Sequence, residues 1–182
     1  MALKATIFKA DLQLADLDRG HFGDYTLTIA RHPSETDERM MVRLLAFALH
    51  ASESLAFGRG LSTEDEADLQ DIDPTGAILR WIDVGLPDER DIRRACNRSR
   101  EVVVLAYGGR SADIWWQQTA QKVAGLKNLK VLQLDPEDSK ALAALATRTM
   151  RLQCTIQEGT VWLGGETGNV EVTPLERYPK AA

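Results

Sequence analysis

A chain of 182 residues, 44% apolar and 27% charged, is long enough to bury one sizeable core; it is too apolar to be disordered and has no apolar run near the ~20 residues a membrane span needs. A formal net charge of −5 argues against attachment to nucleic acid through bulk electrostatics, because such proteins are usually basic, although a local basic face stays open. The first residues lack the apolar block and cleavage site of a signal peptide. A cytoplasmic location is therefore expected, and Cys96 and Cys154, at no metal-ligand spacing, read as small apolar residues in a reducing compartment.

Strand signals open the chain. "ATIFKADLQLADLD" alternates, with Ile7, Lys9, Asp11 and Gln13 on one side and Phe8, Ala10, Leu12 and Leu14 on the other. "DYTLTIARH" follows a Gly-containing turn, so the two predict a long antiparallel hairpin. "HPSETDERMMVRLLAFALHA" predicts a helix, with Ser34 as cap and Met41, Leu44, Leu45, Ala48 and Leu49 as its apolar stripe. "LAFGRGL" reads as a short strand, "STEDEADLQDIDPTG" as acidic and turn-rich, and "AILRWIDVG" as a strand buried on both faces. A short helix over "PDERDIRRACNRS", a buried strand over "EVVVLAYGG" and a helix capped by Ser111 come next. The strand "LKVLQLD" and a helix started by Pro136 precede a second Gly-rich hairpin pair at the end. No repeat or low-complexity linker interrupts the chain, which points to one domain over residues 1–182. The alternation in the middle predicts an α/β fold with a mixed sheet covered by helices, and the terminal hairpins an antiparallel extension or a second small sheet.

Three acids stand out. Asp83 lies between Ile82 and Val84 after Trp81, where a carboxylate must raise its pKa or find a cation. Asp68 precedes or begins a strand, and taken alone it reads as a turn or cap residue. Glu38 shares its helical side with Met41 and Leu45, on or beside the buried face; the simpler role for it is stabilising the helix N-terminus. Carboxylates from a helix, a strand start and the next strand suit a hard cation such as Mg²⁺, with Mn²⁺ as an alternative, which could activate water and steady a phosphoryl transition state. The competing reading of Asp83 is a salt bridge to a nearby arginine.

Just after Asp83, Arg90, Arg94 and Arg98 recur at every fourth position of a helix, with Arg93 beside them. They could pair with surface acids, or their planar forks could bind phosphate. His21, His32 and His50 show no ligand spacing. Trp115 and Trp116 could stack on bases, but at least one suits a core better.

The stretches "ARHPSETDERMMVRLLAFA", "GLSTEDEADL", "WIDVGLPDE" and "VVVLAYGGRSADIWW" closely resemble the YaeQ family of bacterial proteins, over essentially the whole chain. That family is similar to the PD-(D/E)XK nuclease superfamily, which implies a restriction-endonuclease-like mixed sheet with a helix-strand-strand-strand-helix-strand core, here about residues 34–135. The resemblance implies Glu38 as the helical acid, Asp68 as the acid of the first motif and Asp83 as that of the second. The motif lysine should fall at Gly85, which has no side chain. In the superfamily this lysine can migrate to a neighbouring helix, which makes Arg94 its expected substitute and Arg93 the next choice. An arginine stabilises phosphate but is a poor base. The expectation is a Mg²⁺-dependent nuclease-like phosphodiesterase acting on nucleic acid. The alternative is a catalytically silent relative that binds nucleic acid or a protein.

Overall fold

Two long strands, Thr6–Asp16 (β1) and His21–Arg31 (β2), pair antiparallel from Thr6↔Arg31 to Asp16↔His21, as their alternation predicts. The computed structural model of the chain describes residues 4–58 and 65–179. The strand expected over "LAFGRGL" is Leu55–Phe57 (β3), and its residues 59–61 lie outside the described ones. The acidic segment expected to be a turn contains a strand, Leu69–Ile72 (β4), because its neighbour Ile78–Val84 (β5) offers an open edge.

The remaining strands are Ser99–Ala106 (β6), Leu129–Gln133 (β7), Thr149–Gln157 (β8), Thr160–Gly165 (β9), Gly168–Val172 (β10) and Leu175–Tyr178 (β11). They form two sheets. One has the order β10-β9-β8-β1-β2 and the other β11-β7-β6-β5-β4-β3. Both are mixed: β1 pairs parallel with β8, and β5, β6 and β7 run parallel between antiparallel edges. The terminal hairpins therefore join through a parallel pair rather than a purely antiparallel one. The last strand leaves them to close the edge of the central sheet.

Among the described residues four helices complete the fold: Asp37–His50 (α1), Glu89–Arg98 (α2), Arg110–Thr119 (α3) and Pro136–Ala143 (α4). None is long and apolar enough to cross a membrane among the described residues. Two caps differ from expectation. Thr36, not Ser34, accepts the Arg39 N–H at 3.1 Å, while Ser34 Oγ turns to His32 Nδ1 at 2.6 Å. Gly109, at φ +61°, precedes α3 in place of a Ser111 side-chain cap.

The alternating residues of β6 show the layering. Val103 and Leu105 face a core shared with α1, α4 and the inner side of the five-stranded sheet, whereas Val102 and Val104 face a second core with residues of α2 and α3. Helix α1 thus lies between two sheets. Met40 to Ala48 are nine consecutive buried residues, where periodicity predicts a single stripe. Arg43 sits in that run with no exposed surface. Its guanidinium donates from Nε and Nη2 to Glu35, both at 2.9 Å, and from Nη2 to the Ala30 carbonyl at 2.9 Å. It also lies 5.9 Å from the Phe57 ring.

Removing one partner of a buried ion pair strands the other charge, which costs about 3–5 kcal/mol. Arg43→Met should lower stability by about that much in urea denaturation, and adding Glu35→Gln should recover part of the loss.

Candidate functional site

The antiparallel register of β4 and β5, Leu69↔Ile82, carries one step further to set Asp68 across from Asp83. Side chains directly opposite in such a pair stand about 4.5–5.5 Å apart at Cβ, and like charges there repel. The two carboxylates are tied to this corner of the sheet. Asp68 Oδ2 accepts the Val84 N–H at 2.8 Å, and Asp83 Oδ2 accepts the Trp81 indole N–H at 2.9 Å. Asp83 Oδ1 faces the Asp68 N–H at a longer 3.4 Å.

A cavity of about 300 Å³ opens over them at the C-terminal end of β5. Glu66, Asp68, Asp83 and Asp91 supply four acids to its lining, and Arg39 is the one cationic side chain there among the described residues. Arg39 Nη2 donates to Asp68 Oδ1 at 2.7 Å, and Nη1 stands 3.7 Å from Glu35. Because Glu35 also holds Arg43, an ion chain runs from the core to the pocket in the order Arg43, Glu35, Arg39, Asp68.

The structure therefore brings Asp68 and Asp83 together. Glu38 is half-buried on α1 and outside the lining, close enough to act on the Tyr107 hydroxyl along with Glu35 and Asp68. The four arginines of α2 also lie outside the lining. Arg93 pairs with Glu89 and donates to the Lys122 carbonyl, Arg94 is 3.6 Å from Asp91, and Arg98 is 3.6 Å from Asp65. Arg90 donates its backbone N–H to the carboxylate of the cap residue Asp88 at 2.7 Å. Trp115 and Trp116 pack against the second core, and Trp115 donates its indole N–H to the Pro87 carbonyl at 2.7 Å.

Sequence reasoning missed Arg39. The signal was present: Glu35, Arg39 and Arg43 follow at four-residue spacing, and Arg43 stands between Val42 and Leu44. The backbone also explains why position 85 carries no lysine. Gly85 has φ +102°, a conformation that L side chains rarely adopt, while its N–H reaches the Leu105 carbonyl at 3.0 Å.

The electrostatics follow from this placement. Burial first, and the neighbouring Asp68 charge second, push the Asp83 carboxyl up to about 6; the Trp81 N–H and Arg39 oppose them. Burial weakens the charge on Arg39, but the Asp68 and Glu35 carboxylates more than offset it and keep Arg39 firmly protonated.

The donor set is all oxygen. No three His, Cys, Asp or Glu side chains converge tightly enough to hold a metal among the described residues. Two opposed carboxylates, of which Asp68 alone is bonded to Arg39, nevertheless fit Mg²⁺, which keeps several waters and takes one or two carboxylates. Each Asp oxygen that accepts one hydrogen bond retains another lone pair for a ligand.

A sequence model described as "YaeQ protein" matches residues 1–174 of the chain. The YaeQ protein of Escherichia coli K12 is 51% identical over 172 residues, covering 94% of this chain and 95% of that protein. The YaeQ protein of Salmonella typhi is likewise 51% identical over the same share. The crystal structure of YaeQ from Xanthomonas axonopodis pv. citri superposes with a TM-score of 0.92 at 51% identity, covering 95% of this chain and 98% of that one. That from Pseudomonas syringae gives 0.91 at 38% identity, covering 97% of each.

The Asp83 carboxyl makes a directional prediction. The folded state holds its proton up to about pH 6, against 3.8 for the ordinary group, so stability is lost as pH rises from about 4 through 6. At 1.36 kcal/mol per tenfold the upper bound is about 3 kcal/mol, and the partial exposure of Asp83 reduces it to about 1–2. In EDTA, Asp83→Asn should raise Tm at pH 7.5 and leave it unchanged at pH 4; an equal effect at both would contradict this origin of the shift.

Proposed function

The chain belongs to the YaeQ family, and we propose that it is a Mg²⁺-dependent, nuclease-like phosphodiesterase of the cytoplasm acting on nucleic acid. The observation that carries this reading is the opposed pair of Asp68 and Asp83, in a cavity where Arg39 is the one lining cation among the described residues. Two carboxylates set face to face repel each other, and Arg39 is bonded to Asp68 alone, so Asp83 is left to a visiting cation or to its own proton. Placement in the PD-(D/E)XK superfamily, with a restriction-endonuclease-like core, is part of the same proposal. The order α1-β3-β4-β5-α2-β6 supports it, because this is the helix-strand-strand-strand-helix-strand sequence such a core needs.

In this reading Asp68 and Asp83 hold the ion, which when bound would supply Lewis acidity at the phosphate. Val84 N–H and Trp81 indole N–H fix the two carboxylates in place. Arg39 takes the role expected of Arg94: it is fully charged, lines the cavity, and can turn from Asp68 to an entering phosphate oxygen. With its carboxyl raised to about 6 in the metal-free site, Asp83 would release its proton on taking up the ion, so metal binding should tighten as pH rises through about 6. Glu38 then acts through the local field or through water.

A second reading, a catalytically silent relative that binds nucleic acid or a protein, is favoured by one observation. The motif lysine is absent at Gly85, and the backbone there discourages any replacement.

Calorimetry should show Mn²⁺ and Mg²⁺ binding that weakens at least tenfold in Asp68→Asn and Asp83→Asn. Arg39→Ala should keep the metal and lose cleavage of single- or double-stranded DNA or RNA by about 10²-fold or more. Absence of both metal binding and cleavage on every nucleic acid form overturns the enzymatic reading. Binding of nucleic acid that survives Asp83→Ala, without cleavage by either protein, selects the silent one.

A further inference from the structure

The strand at the edge of an open sheet leaves half of its N–H and C=O groups without a neighbour. The six-stranded sheet ends in β3, three residues long, and in β11, four residues long with a register shift between Glu176 and Tyr178. The five-stranded sheet ends in β10, five residues long, and in β2. Short or bulged edges make poor templates for another strand. β2 is different: it has eleven residues and pairs with β1 without a register shift. Between His21 and Arg31 it has no Lys and no Pro, and Asp24 is its one charged side chain.

The backbone shows which of its groups face outward. Lys9 N–H donates to the Arg148 carbonyl at 2.9 Å, and Leu17 N–H to the Ile156 carbonyl at 2.8 Å, so the odd-numbered residues along β1 bond toward β8. The even-numbered ones therefore bond to β2, where their partners are odd: Leu12↔Tyr25, Ala10↔Leu27 and Phe8↔Ile29. This leaves the N–H and C=O groups of Phe22, Asp24, Thr26, Thr28 and Ala30 on the free edge. Of these, among the described residues, the Ala30 carbonyl alone has a partner, the Arg43 guanidinium at 2.9 Å. The side chains of Phe22, Asp24, Thr26 and Thr28 are exposed, Phe22 at 62%.

We propose that β2 pairs antiparallel with β2 of a second copy of this chain, about a twofold axis at Thr26, joining two five-stranded sheets into one. Self-complementarity argues for a copy rather than an unrelated strand. With Thr26 opposite its own counterpart, the outward groups of Asp24 face those of the partner's Thr28, and those of Phe22 face the partner's Ala30. Asp24, Thr26 and Thr28 then complete about six main-chain hydrogen bonds across the axis. The Asp24 carboxylate meets the hydroxyl of the partner's Thr28, and the Phe22 ring covers the partner's Ala30. On the inner side Tyr25 meets the partner's Leu27 and Gly23 the partner's Ile29, so no two carboxylates and no two Lys or Arg cations stand opposite each other. The strand belongs to the other sheet from Asp68 and Asp83, and the inference does not rest on the metal reading.

Sedimentation of the full chain across a concentration series, with hydrogen exchange at low and high concentration, tests the pairing. A reversible dimer is expected, in which the Asp24, Thr26 and Thr28 amides gain protection on association. The Tyr25 and Leu27 amides, bonded to β1, are protected in both states. Thr28→Pro removes an outward N–H and leaves the β1 ladder intact, so it should weaken the dimer at least tenfold. Thr26→Lys sets two ammonium groups face to face at the axis and should also weaken it. Thr28→Lys places a cation opposite the partner's Asp24 and should tighten it about two- to fivefold. Both Lys changes are at exposed positions, so they decide the matter if the Pro variant misfolds. A chain that stays monomeric up to millimolar concentration overturns the proposal and leaves the edge to a strand of another protein. A dimer that withstands both Thr28→Pro and Thr26→Lys overturns it as well. So does a dimer that Thr26→Lys tightens, the outcome expected if Asp24 faced position 26 instead.

Discussion

A helix packed between two sheets has no wet side on which to place a charge. Met40 to Ala48 of α1 are buried without interruption, and Arg43 is among them. Its charge is tolerable only because Glu35 grips it with two hydrogen bonds and the Ala30 carbonyl takes a third. Glu35 in turn draws Arg39 toward the same end of the helix, and Arg39 holds Asp68. The position of the first pocket acid is therefore coupled to the packing of the core, through side chains rather than through the backbone of its own loop.

The second acid is placed differently. Asp83 owes its position to strand register and to the indole of Trp81, and among the described residues no guanidinium is bonded to it. The pair is therefore asymmetric: Asp68 is neutralised by Arg39, while Asp83 is raised by burial and by its neighbour.

Much of the scaffold was legible. The alternation of β1 gave its inner residues Phe8, Ala10, Leu12 and Leu14, all buried, and the β-branched run 102–104 gave a strand buried on both faces. Asp83 could be singled out because Ile82 and Val84 flank it. The stretch around 69–72 read as acidic and turn-rich, with a strand start only at Asp68, because its four residues carry little pattern of their own; pairing with β5 makes them a strand. The arginines of α2 drew attention by their spacing, yet spacing on one helix says nothing about which way that helix faces. Arg39 and Arg43 drew none, because an arginine beside a stripe ordinarily extends its charge into water.

The sequence by itself determined most of the elements, their apolar faces and the oddity of a carboxylate within an apolar strand, because these rest on local periodicity and on the cost of burying charge. Which cations meet which acids was decided only by the tertiary structure. Arg39 reaches Asp68 across 29 positions, since charge pairing acts over ångströms in space and leaves no period along the chain.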